Sequence, residues 1–490
     1  MKHRRILSGL AALMLAATLP MSALADTWYL EDGSITVTAS DSGQTVQQGS
    51  NAAVNDNNVT ITQRDSSTAT GNTVTINAEK DQTANVTLED VNIDTSSSGG
   101  AAVSTGGEGS VTIELDGSNK VKSGDDFAGV QKRNEGCLEI TDQNDDGALI
   151  AIAGRGSAGI GGGNGYSTSN ITISGGDITA IGGHSGSGIG GGNDRGSGSN
   201  ITISGGNVKA IGGFAGSGIG GGNGGSGSNI TISGGSVEAI GGYFSSGIGG
   251  GFLGNGSNIT ISNCNVTAQS SAAGAGIGGG LHGEGSDITI YGDANVKVQG
   301  GKSSDDISTG AGIGNGSHFD RSTLSYTNGA EVTPDTSKLT TKGKIEYYAP
   351  GADMDKTAPV RIIVGTYGSS QAAQPAEALT EAAPAAPLFR VTDGDGKYVK
   401  YETQWSDGVL TVTAEADCAV LTGKLSGMAA LKAQGIERIV FITNGATSEF
   451  AAADLLAAGA SGNRYTLTHD GETVTFTLGE ADVSGILGKK

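Results

Sequence analysis

The sequence predicts an all-β fold, a right-handed parallel β-helix with three sheets and roughly nine coils, followed by a small α+β domain. Three observations favour this fold class. Glycine accounts for 87 of the 490 residues, a five-residue segment recurs through the central third of the chain, and each copy precedes two further short apolar segments. The regular positions of glycine argue against the disorder that the low aromatic content alone could suggest.

The repeat begins with one segment whose successive copies lie 30, 29, 29 and 29 residues apart. In each copy two isoleucines flank a threonine, which is the period-two alternation of a β-strand. One unit cannot bury its isoleucines alone, but stacked units can, because equivalent residues then lie ~4.8 Å apart. The copies begin at Asn170, Asn200, Asn229, Asn258 and Asp287, and the four asparagines predict a hydrogen-bonded ladder at one corner.

Three apolar segments in each unit indicate three parallel sheets around one thin core. In the second unit they are Ile201-Thr-Ile203, Val208-Lys-Ala210 and Gly218-Ile-Gly220. Glycine pairs separate them at the corners, where a positive φ or a close turn is needed. Degenerate units extend the pattern from Val59 to about Gly316, which predicts roughly nine coils and a rod ~40 Å long.

The remaining residues divide into a leader, two caps, a linker and a second domain. Residues 1–25 have the cationic, apolar and small-residue regions of a secretory signal peptide. Residues 26–57 and 318–367 are expected to cap the β-helix of residues 58–317. Residues 368–387 are an Ala- and Pro-rich linker. Residues 388–490 have a normal domain size, and helices are predicted from Met428 to Gln434 and from Glu449 to Ala458.

The charge balance is strongly acidic. Removal of the leader, which carries three cations and no acid, changes the formal charge from −21 to −24. This balance argues against nucleic acid or an anionic membrane as a partner. No later segment approaches the ~20 apolar residues of a spanning helix, and three scattered cysteines are too few for a disulfide framework. We therefore expect a monomer that is secreted, extracellular or associated with the cell surface, without membrane insertion.

Glycine-rich turns of the repeat match the dinucleotide-binding pattern G-x-G-x-x-G at residues 186–191 and 216–221. A true fingerprint follows a strand and opens a helix. Here the pattern recurs in successive coils and no helix follows it, so we do not interpret it as a nucleotide site.

A segment with acidic and amide side chains begins like a Ca²⁺ loop. Asp142, Asn144 and Asp146 supply oxygens at positions 1, 3 and 5, with glycine at position 6. Position 12, where a bidentate glutamate is required, is Ala153. A complete loop is excluded, which leaves a weak Ca²⁺-binding turn or a plain Asx-rich turn. Calcium is the one cofactor that the sequence suggests.

A carboxylate pair, Asp125 and Asp126, raises the question of an enzyme. Glycosidases need two placed carboxylates, and neighbouring coils offer no further acid at matching positions. We assign no catalytic residue.

One column of side chains on the surface is of interest for binding. The residue after the second glycine pair of each unit reads Arg155, His184, Phe214, Tyr243, Ala272 and Lys302. Planar groups can stack on the apolar C–H faces of sugar rings, while a cation meets a carboxylate. The alternative is an exposed stack that stabilises the turn. The candidate glycan-binding stripe is therefore Arg155, His184, Phe214, Tyr243 and Lys302.

The segments Ile-Thr-Ile-Ser-Gly-Gly, Ala-Ile-Gly-Gly and Ser-Gly-Ile-Gly-Gly-Gly resemble those of secreted or cell-surface β-helix proteins of Firmicutes, described as carbohydrate-binding-domain-containing proteins. That group is similar to a clostridial β-helix family associated with acidic plant polysaccharides and Ca²⁺. The resemblance covers residues 58–317 and implies a polysaccharide or a cell-surface glycan as the partner. The leading hypothesis is a non-catalytic carbohydrate-binding or adhesin-like protein. The alternatives are a lyase or glycoside hydrolase acting on acidic polysaccharide, and a structural spacer that displays the C-terminal domain.

Overall fold

The computed structural model describes residues 27–302, 308–320, 325–367, 389–394, 399, 401–406, 408–433, 436–459, 463–471, 473–479 and 481–488. The predicted leader and linker, residues 1–25 and 368–387, lie outside these ranges. Within the described residues, no helix has the length and apolar character that crossing a membrane requires.

The described residues between 27 and 367 form a parallel β-helix with three sheets, the fold class that the sequence predicts. Strands in the two expected caps, residues 26–57 and 318–367, join the same sheets: Thr27–Tyr29 pairs with Val59–Thr62, and Lys344–Tyr348 pairs with Asn295–Gln299. The first sheet has ten parallel strands: Thr27–Tyr29, Val59–Thr62, Thr83–Glu89, Ser110–Asp116, Leu138–Thr141, Thr168–Ile173, Gly198–Ile203, Gly227–Ile232, Gly256–Ser262 and Gly285–Tyr291. Nine of the ten begin at or after Val59, where the sequence places the start of the repeat.

The second sheet has nine parallel strands and one antiparallel edge strand. The parallel strands are Asn92–Asp94, Ser118–Lys122, Ala148–Ile152, Asp177–Ile181, Asn207–Ile211, Ser236–Gly241, Asn265–Ser270, Asn295–Gln299 and Lys344–Tyr348. The edge strand, Arg361–Val364, pairs antiparallel with Lys344–Tyr348. Residues 344–364 therefore end this sheet after the last coil.

The strands of the third sheet are short through most of the repeat. They are Ile35–Ser40, Val74–Ala78, Val103–Gly106, Val130–Gln131, Ile160–Gly161, Ile189–Gly190, Ile219–Gly220, Ile248–Gly249, Ile277–Gly278 and Ile313–Gly314. Two antiparallel strands, Gly43–Gln48 and Val54–Asn55, extend this sheet at its N-terminal edge. A separate hairpin, His318–Asp320 with Ser325–Thr327, follows the last coil.

Isoleucine columns form the core of the helix. Ile201 pairs in register with Ile230, and Thr202 pairs with Thr231 between the columns. The isoleucine side chains are fully buried, whereas the threonines are half-buried on the outer face. Burial of an isoleucine stabilises a fold by about 1.5–3 kcal/mol, so the stacked columns supply the driving force that one unit lacks.

The predicted asparagine ladder is confirmed. Asn200 Nδ2 donates to Asn170 Oδ1 at 3.0 Å, and Asn229 Nδ2 donates to Asn200 Oδ1 at 3.0 Å. Asn258 continues the ladder by donating to Asn229. Asn200 has a φ of +51°, a left-handed conformation that asparagine tolerates better than most residues.

The C-terminal residues form an α+β arrangement with its own apolar core. One sheet contains Arg390–Thr392, Cys418–Lys424, Arg464–Asp470, Thr473–Leu478 and Ala481–Asp482, and the other contains Tyr401–Ser406, Val409–Ala414, Arg438–Ile442 and Thr447–Ala451. The helices are Leu425–Ala433 and Ala452–Ala457, and short 3₁₀ turns lie at Leu30–Asp32 and Ser484–Ile486.

The helix predicted from Glu449 to Ala458 is wrong in its first half. Residues 447–451 form a strand that pairs antiparallel with Arg438–Ile442, and the helix begins at Ala452. Ser448 and Phe450 are buried on one face of that strand, so sheet pairing overrides local helix propensity. The other predicted helix begins at Leu425, three residues before Met428, and Gln434 lies outside the described residues.

Candidate functional site

The short third strand brings two turns of the repeat close together. We call the turn before each Ile-Gly strand the upstream turn, residues 182–188 in one coil, and the turn after it the downstream turn, residues 191–197. Because the strand between them has only two residues, backbone hydrogen bonds join the turns of adjacent coils. Asn193 N donates to Gly156 O at 2.7 Å, and Asn223 N donates to Ser185 O at 2.9 Å.

Glycine is required for this close approach of the turns. A Cβ at Gly213 would lie 1.7 Å from the carbonyl oxygen of Gly183 in the preceding coil. The glycine pairs that mark the repeat in the sequence therefore let the backbones of successive turns stack without side chains between them.

A groove of about 500 Å³ lies between the two columns of turns. We call it the turn groove. The residues that line it are Asp125, Asp126, Arg155, Gly156, Asn164, His184, Ser185, Asn193 and Asn223. Two residues of the predicted stripe, Arg155 and His184, thus lie in one groove with the Asp125–Asp126 pair.

A second amide ladder forms one side of the turn groove. Asn223 Nδ2 donates to Asn193 Oδ1 at 3.1 Å, and Asn193 Nδ2 donates to Asn164 Oδ1 at 3.1 Å. Asn164 Nδ2 donates in turn to the Asp126 carboxylate at 2.6 Å. The side-chain amides of three coils are consequently held in one orientation, and the ladder ends at the negatively charged Asp126 carboxylate.

The upstream turns contribute the other polar groups. The backbone N–H of Arg155 donates to Asp125 Oδ1 at 3.1 Å. Arg155 is exposed, so its guanidinium is available to a ligand. His184 Nδ1 lies 3.1 Å from Ser185 Oγ. The groove therefore presents carboxylate acceptors, a cationic donor and amide groups within a few coils of one another.

Beyond the groove the upstream turns carry stacked rings. The His184 and Phe214 rings have centroids 5.4 Å apart and planes at 19°, and the Phe214 and Tyr243 rings are 5.5 Å apart at 7°. Phe244 meets both Phe214 and Tyr243 edge-on, and Phe252 contacts Phe244. We call His184, Phe214, Tyr243, Phe244 and Phe252 the aromatic cluster.

The stacking direction decides what this cluster offers to a ligand. Rings on successive coils lie face to face along the helix axis, so both faces of Phe214 are covered, although its side chain is 47% exposed. The cluster presents ring edges to solvent at Phe214. A sugar ring therefore cannot stack on Phe214 in the way that the stripe hypothesis supposes.

The predicted stripe is interrupted after Tyr243. Ala272 is fully buried, and its methyl group does not extend the column. Lys302 is exposed and lies two coils beyond Tyr243, where it bridges to Thr309. The structure thus brings together Arg155, His184, Phe214 and Tyr243 in consecutive coils, and separates Lys302 from them.

The segment considered for calcium forms a turn. Asp142 accepts hydrogen bonds from the backbone N–H groups of Asp145, at 2.9 Å, and Gly147, at 3.1 Å. Asn144 Nδ2 donates to Asp116 Oδ1 at 3.2 Å. Desolvation, and then the nearby Asp116 carboxyl, raise the pKa of Asp146. The Asp142 carboxylate therefore caps its own turn, as in the plain Asx-rich turn that the sequence left open. In the part of the chain that the structure describes, no three His, Cys, Asp or Glu residues are grouped to hold a metal.

The sequence interpretation missed the groove's amide ladder. Its signal is a Gly-Gly-Gly-Asn segment that ends at Asn164, Asn193 and Asn223, spaced 29 and 30 residues apart. Equal spacing places these asparagines in one column, and the two-residue third strand places that column beside Arg155 and His184.

The fold and the repeat together define a parallel β-helix built from repeated coils. A family model described as Beta helix repeat matches four stretches of the chain, residues 171–193, 201–223, 230–252 and 259–281. Each stretch runs from the first strand of a coil to its downstream turn, so these stretches include all five residues of the aromatic cluster and two of the groove asparagines, Asn193 and Asn223. No curated protein and no solved structure matches the chain.

Proposed function

We propose that this protein is a non-catalytic carbohydrate-binding β-helix protein whose ligand occupies the turn groove. The observation that carries the proposal is the groove itself, which combines Asp125, Asp126, Arg155 and three aligned asparagines beside a column of rings. Sugar hydroxyls both donate and accept hydrogen bonds. Carboxylates accept, guanidinium donates and amides do both, so this set of side chains matches a polyhydroxylated ligand.

The shape of the groove favours an extended ligand. Its volume of about 500 Å³ is within the usual range for small-molecule sites. Equivalent side chains recur once per coil, at ~4.8 Å, so a chain of sugars along the axis would meet Asn164, Asn193 and Asn223 in turn. Aromatic edges at Phe214 and Tyr243 continue the surface beyond the amides.

Charge distinguishes between classes of glycan. The acidic chain, at −24 after removal of the predicted leader, repels anionic polymers unless a cation intervenes. Arg155 is the one cationic side chain of the groove, and it faces two carboxylates. We therefore infer a neutral glycan as the ligand, and retain Ca²⁺-bridged binding of an acidic polysaccharide as an arm of the test.

The predicted leader and the resemblance to carbohydrate-binding-domain-containing proteins of Firmicutes support an extracellular or cell-surface location. An adhesin-like role in holding a polysaccharide or a host glycan is consistent with a rigid rod and a separate C-terminal domain. In the alternative, a structural spacer, the protein has the same extracellular or cell-surface location, but the β-helix binds no ligand and only displays the C-terminal domain.

One observation favours an enzyme as the second candidate. Asp125 and Asp126 both line the turn groove, where a lyase or a hydrolase acting on polysaccharide would place its acids. Each carboxylate already accepts a hydrogen bond, from Arg155 N and from Asn164 Nδ2 respectively. Adjacent residues of one turn are also an unusual source of the two opposed carboxylates that glycosidases use.

The test is a glycan array probed with the full chain, run once with Ca²⁺ and once with EDTA. We expect binding to neutral oligosaccharides in both conditions, at least tenfold weaker for Arg155→Ala and unchanged for the exposed control Arg133→Ala. Absence of binding across the array would overturn the proposal. Release of reducing ends or unsaturated uronates from a polysaccharide panel would instead identify an enzyme.

A further inference from the structure

Two histidines meet near the C-terminal end of the β-helix, far along the rod from the turn groove. His282 lies at the tip of a downstream turn, where its φ is +65°. The same tip is formed by Arg195, Gly224 and Leu253 in preceding coils, with φ values of +67°, +75° and +63°. Glycine adopts this conformation without strain, whereas a residue with a Cβ is strained there.

The second histidine comes from the chain one coil later. His318 begins the strand His318–Asp320, and the backbone N–H of His282 donates to Ser317 O at 2.9 Å. This bond places the two backbones side by side. The imidazole rings then lie 4.6 Å apart at 85°, with Nδ1 of His282 2.9 Å from Nδ1 of His318.

The two Nδ1 atoms lie at a separation that suits a shared ion. Imidazole nitrogen binds Zn²⁺ and related metals at about 2.0–2.1 Å. Two such ligands at 90° about one metal are separated by about 2.9 Å, whereas tetrahedral ligands are separated by about 3.3–3.4 Å. The observed separation equals the first value, which belongs to square-planar or octahedral coordination.

We propose that His282 and His318 form a two-histidine site for a divalent transition-metal ion. The right-angle geometry and the Irving–Williams order favour Cu²⁺, then Ni²⁺, ahead of Zn²⁺. Water completes the coordination. The ion replaces the hydrogen bond between the two Nδ1 atoms, and links the tip of a downstream turn to the hairpin that follows the last coil.

The site is independent of the proposed glycan function, because it shares no residue with the turn groove. It also has a consequence for stability, since an ion that binds only the folded chain stabilises it by mass action.

The experiment is calorimetric titration of the full chain with CuSO₄, NiCl₂ and ZnCl₂ at pH 7.5, with nitrogen hyperfine splitting in the Cu²⁺ spectrum as a second readout. We expect one Cu²⁺ ion bound per chain with two imidazole ligands, and binding at least tenfold weaker for His282→Gly and for His318→Ala. The glycine variant relaxes the positive φ, so its loss of affinity cannot be ascribed to unfolding. The control Arg195→Gly, which makes the same backbone change at the equivalent tip of an earlier coil, should bind as the parent does. Failure to bind Cu²⁺, or loss of affinity in only one of the two variants, would overturn the proposal.

Discussion

The ring of Phe214 lies face to face with the ring of Tyr243 from the next coil, with centroids 5.5 Å apart and planes at 7°. Successive coils stand ~4.8 Å apart, so rings on consecutive upstream turns are already close to stacking distance. The rings stack when the side chains are oriented so that the ring planes lie roughly perpendicular to the axis of the β-helix. The stack stabilises the turns. Because it covers both faces of the Phe214 ring, a ligand cannot stack on them.

Removing the central ring should therefore lower stability. Phe214→Ala loses two stacked contacts, each contributing about 0.5–1.5 kcal/mol beyond area burial, so we expect a loss of about 1–3 kcal/mol in the free energy of unfolding in urea. Tyr166→Ala is the matched control. Tyr166 is 60% exposed and has one distant cation–ring contact, with Arg133 at 5.9 Å. A change below about 0.5 kcal/mol is expected there, and equal losses in the two variants would contradict a stabilising stack.

The asparagine corner ladder predicts an ordering of two variants. Asn200→Ala and Asn200→Gly both lose the hydrogen bonds to Asn170 and Asn229. Only alanine also has to adopt the φ of +51°, which costs about 1–2 kcal/mol. We expect Asn200→Gly to be more stable than Asn200→Ala by about 1 kcal/mol in urea unfolding. The reverse order would show that the left-handed φ does not govern this corner.

The stacked turns predict an intolerant glycine. Gly213→Ala would place Cβ 1.7 Å from Gly183 O, a backbone contact that cannot rotate away, so we expect a loss of about 3 kcal/mol or more. The control is Gly71→Ala, where a Cβ meets nothing within 4 Å and φ is not positive. Thermal unfolding followed by circular dichroism distinguishes the two variants, and a Gly213→Ala protein that melts like the parent would refute the turn geometry.

A buried lysine predicts a pH dependence. Lys132 is only 7% exposed, its Nζ donates to the carbonyls of Asn134 and Gly136, and burial lowers its pKa to about 8. The unfolded chain holds that proton up to a pKa of about 10.4. Between these values the unfolded state binds more protons, so stability rises with pH.

The comparison that isolates this effect is between the parent and Lys132→Met. Their difference in unfolding free energy should be constant below pH 8, and should shift by about 1–3 kcal/mol in favour of the parent between pH 8 and 10. Urea unfolding at four pH values measures it. A flat difference across that window would show that Lys132 has an ordinary pKa.

The coils and the core could be predicted from the sequence, because the exact spacing of the repeat determines which residues stack on one another. Residues 29 or 30 apart, such as Ile201 and Ile230, must share a column in any constant-rise solenoid, and alternation decides which residue points inward. The Asn200 ladder followed from the same logic. Outside the repeat there is no spacing from which to infer stacking, and there the strand Thr447–Ala451 was mistaken for the start of a helix.

Only part of the candidate site could be predicted from the spacing of the repeat. Spacing placed Arg155, His184, Phe214 and Tyr243 in one column, but it carries no information on side-chain torsions, which determine that rings meet face to face. It also could not show that Ala272 turns inward, nor that a two-residue strand brings Asn193 beside Gly156. Those features depend on how the corners close in three dimensions.

The central claim, that a glycan lies in the turn groove rather than on the ring faces, is tested most directly by measuring the affinity of one array-selected oligosaccharide for two variants. We predict that Arg155→Ala, at the groove, weakens binding at least tenfold, while Phe214→Ala, in the stack, changes it less than threefold once both proteins are shown to be folded. The opposite pattern, with Phe214→Ala abolishing binding and Arg155→Ala retaining it, would contradict the account.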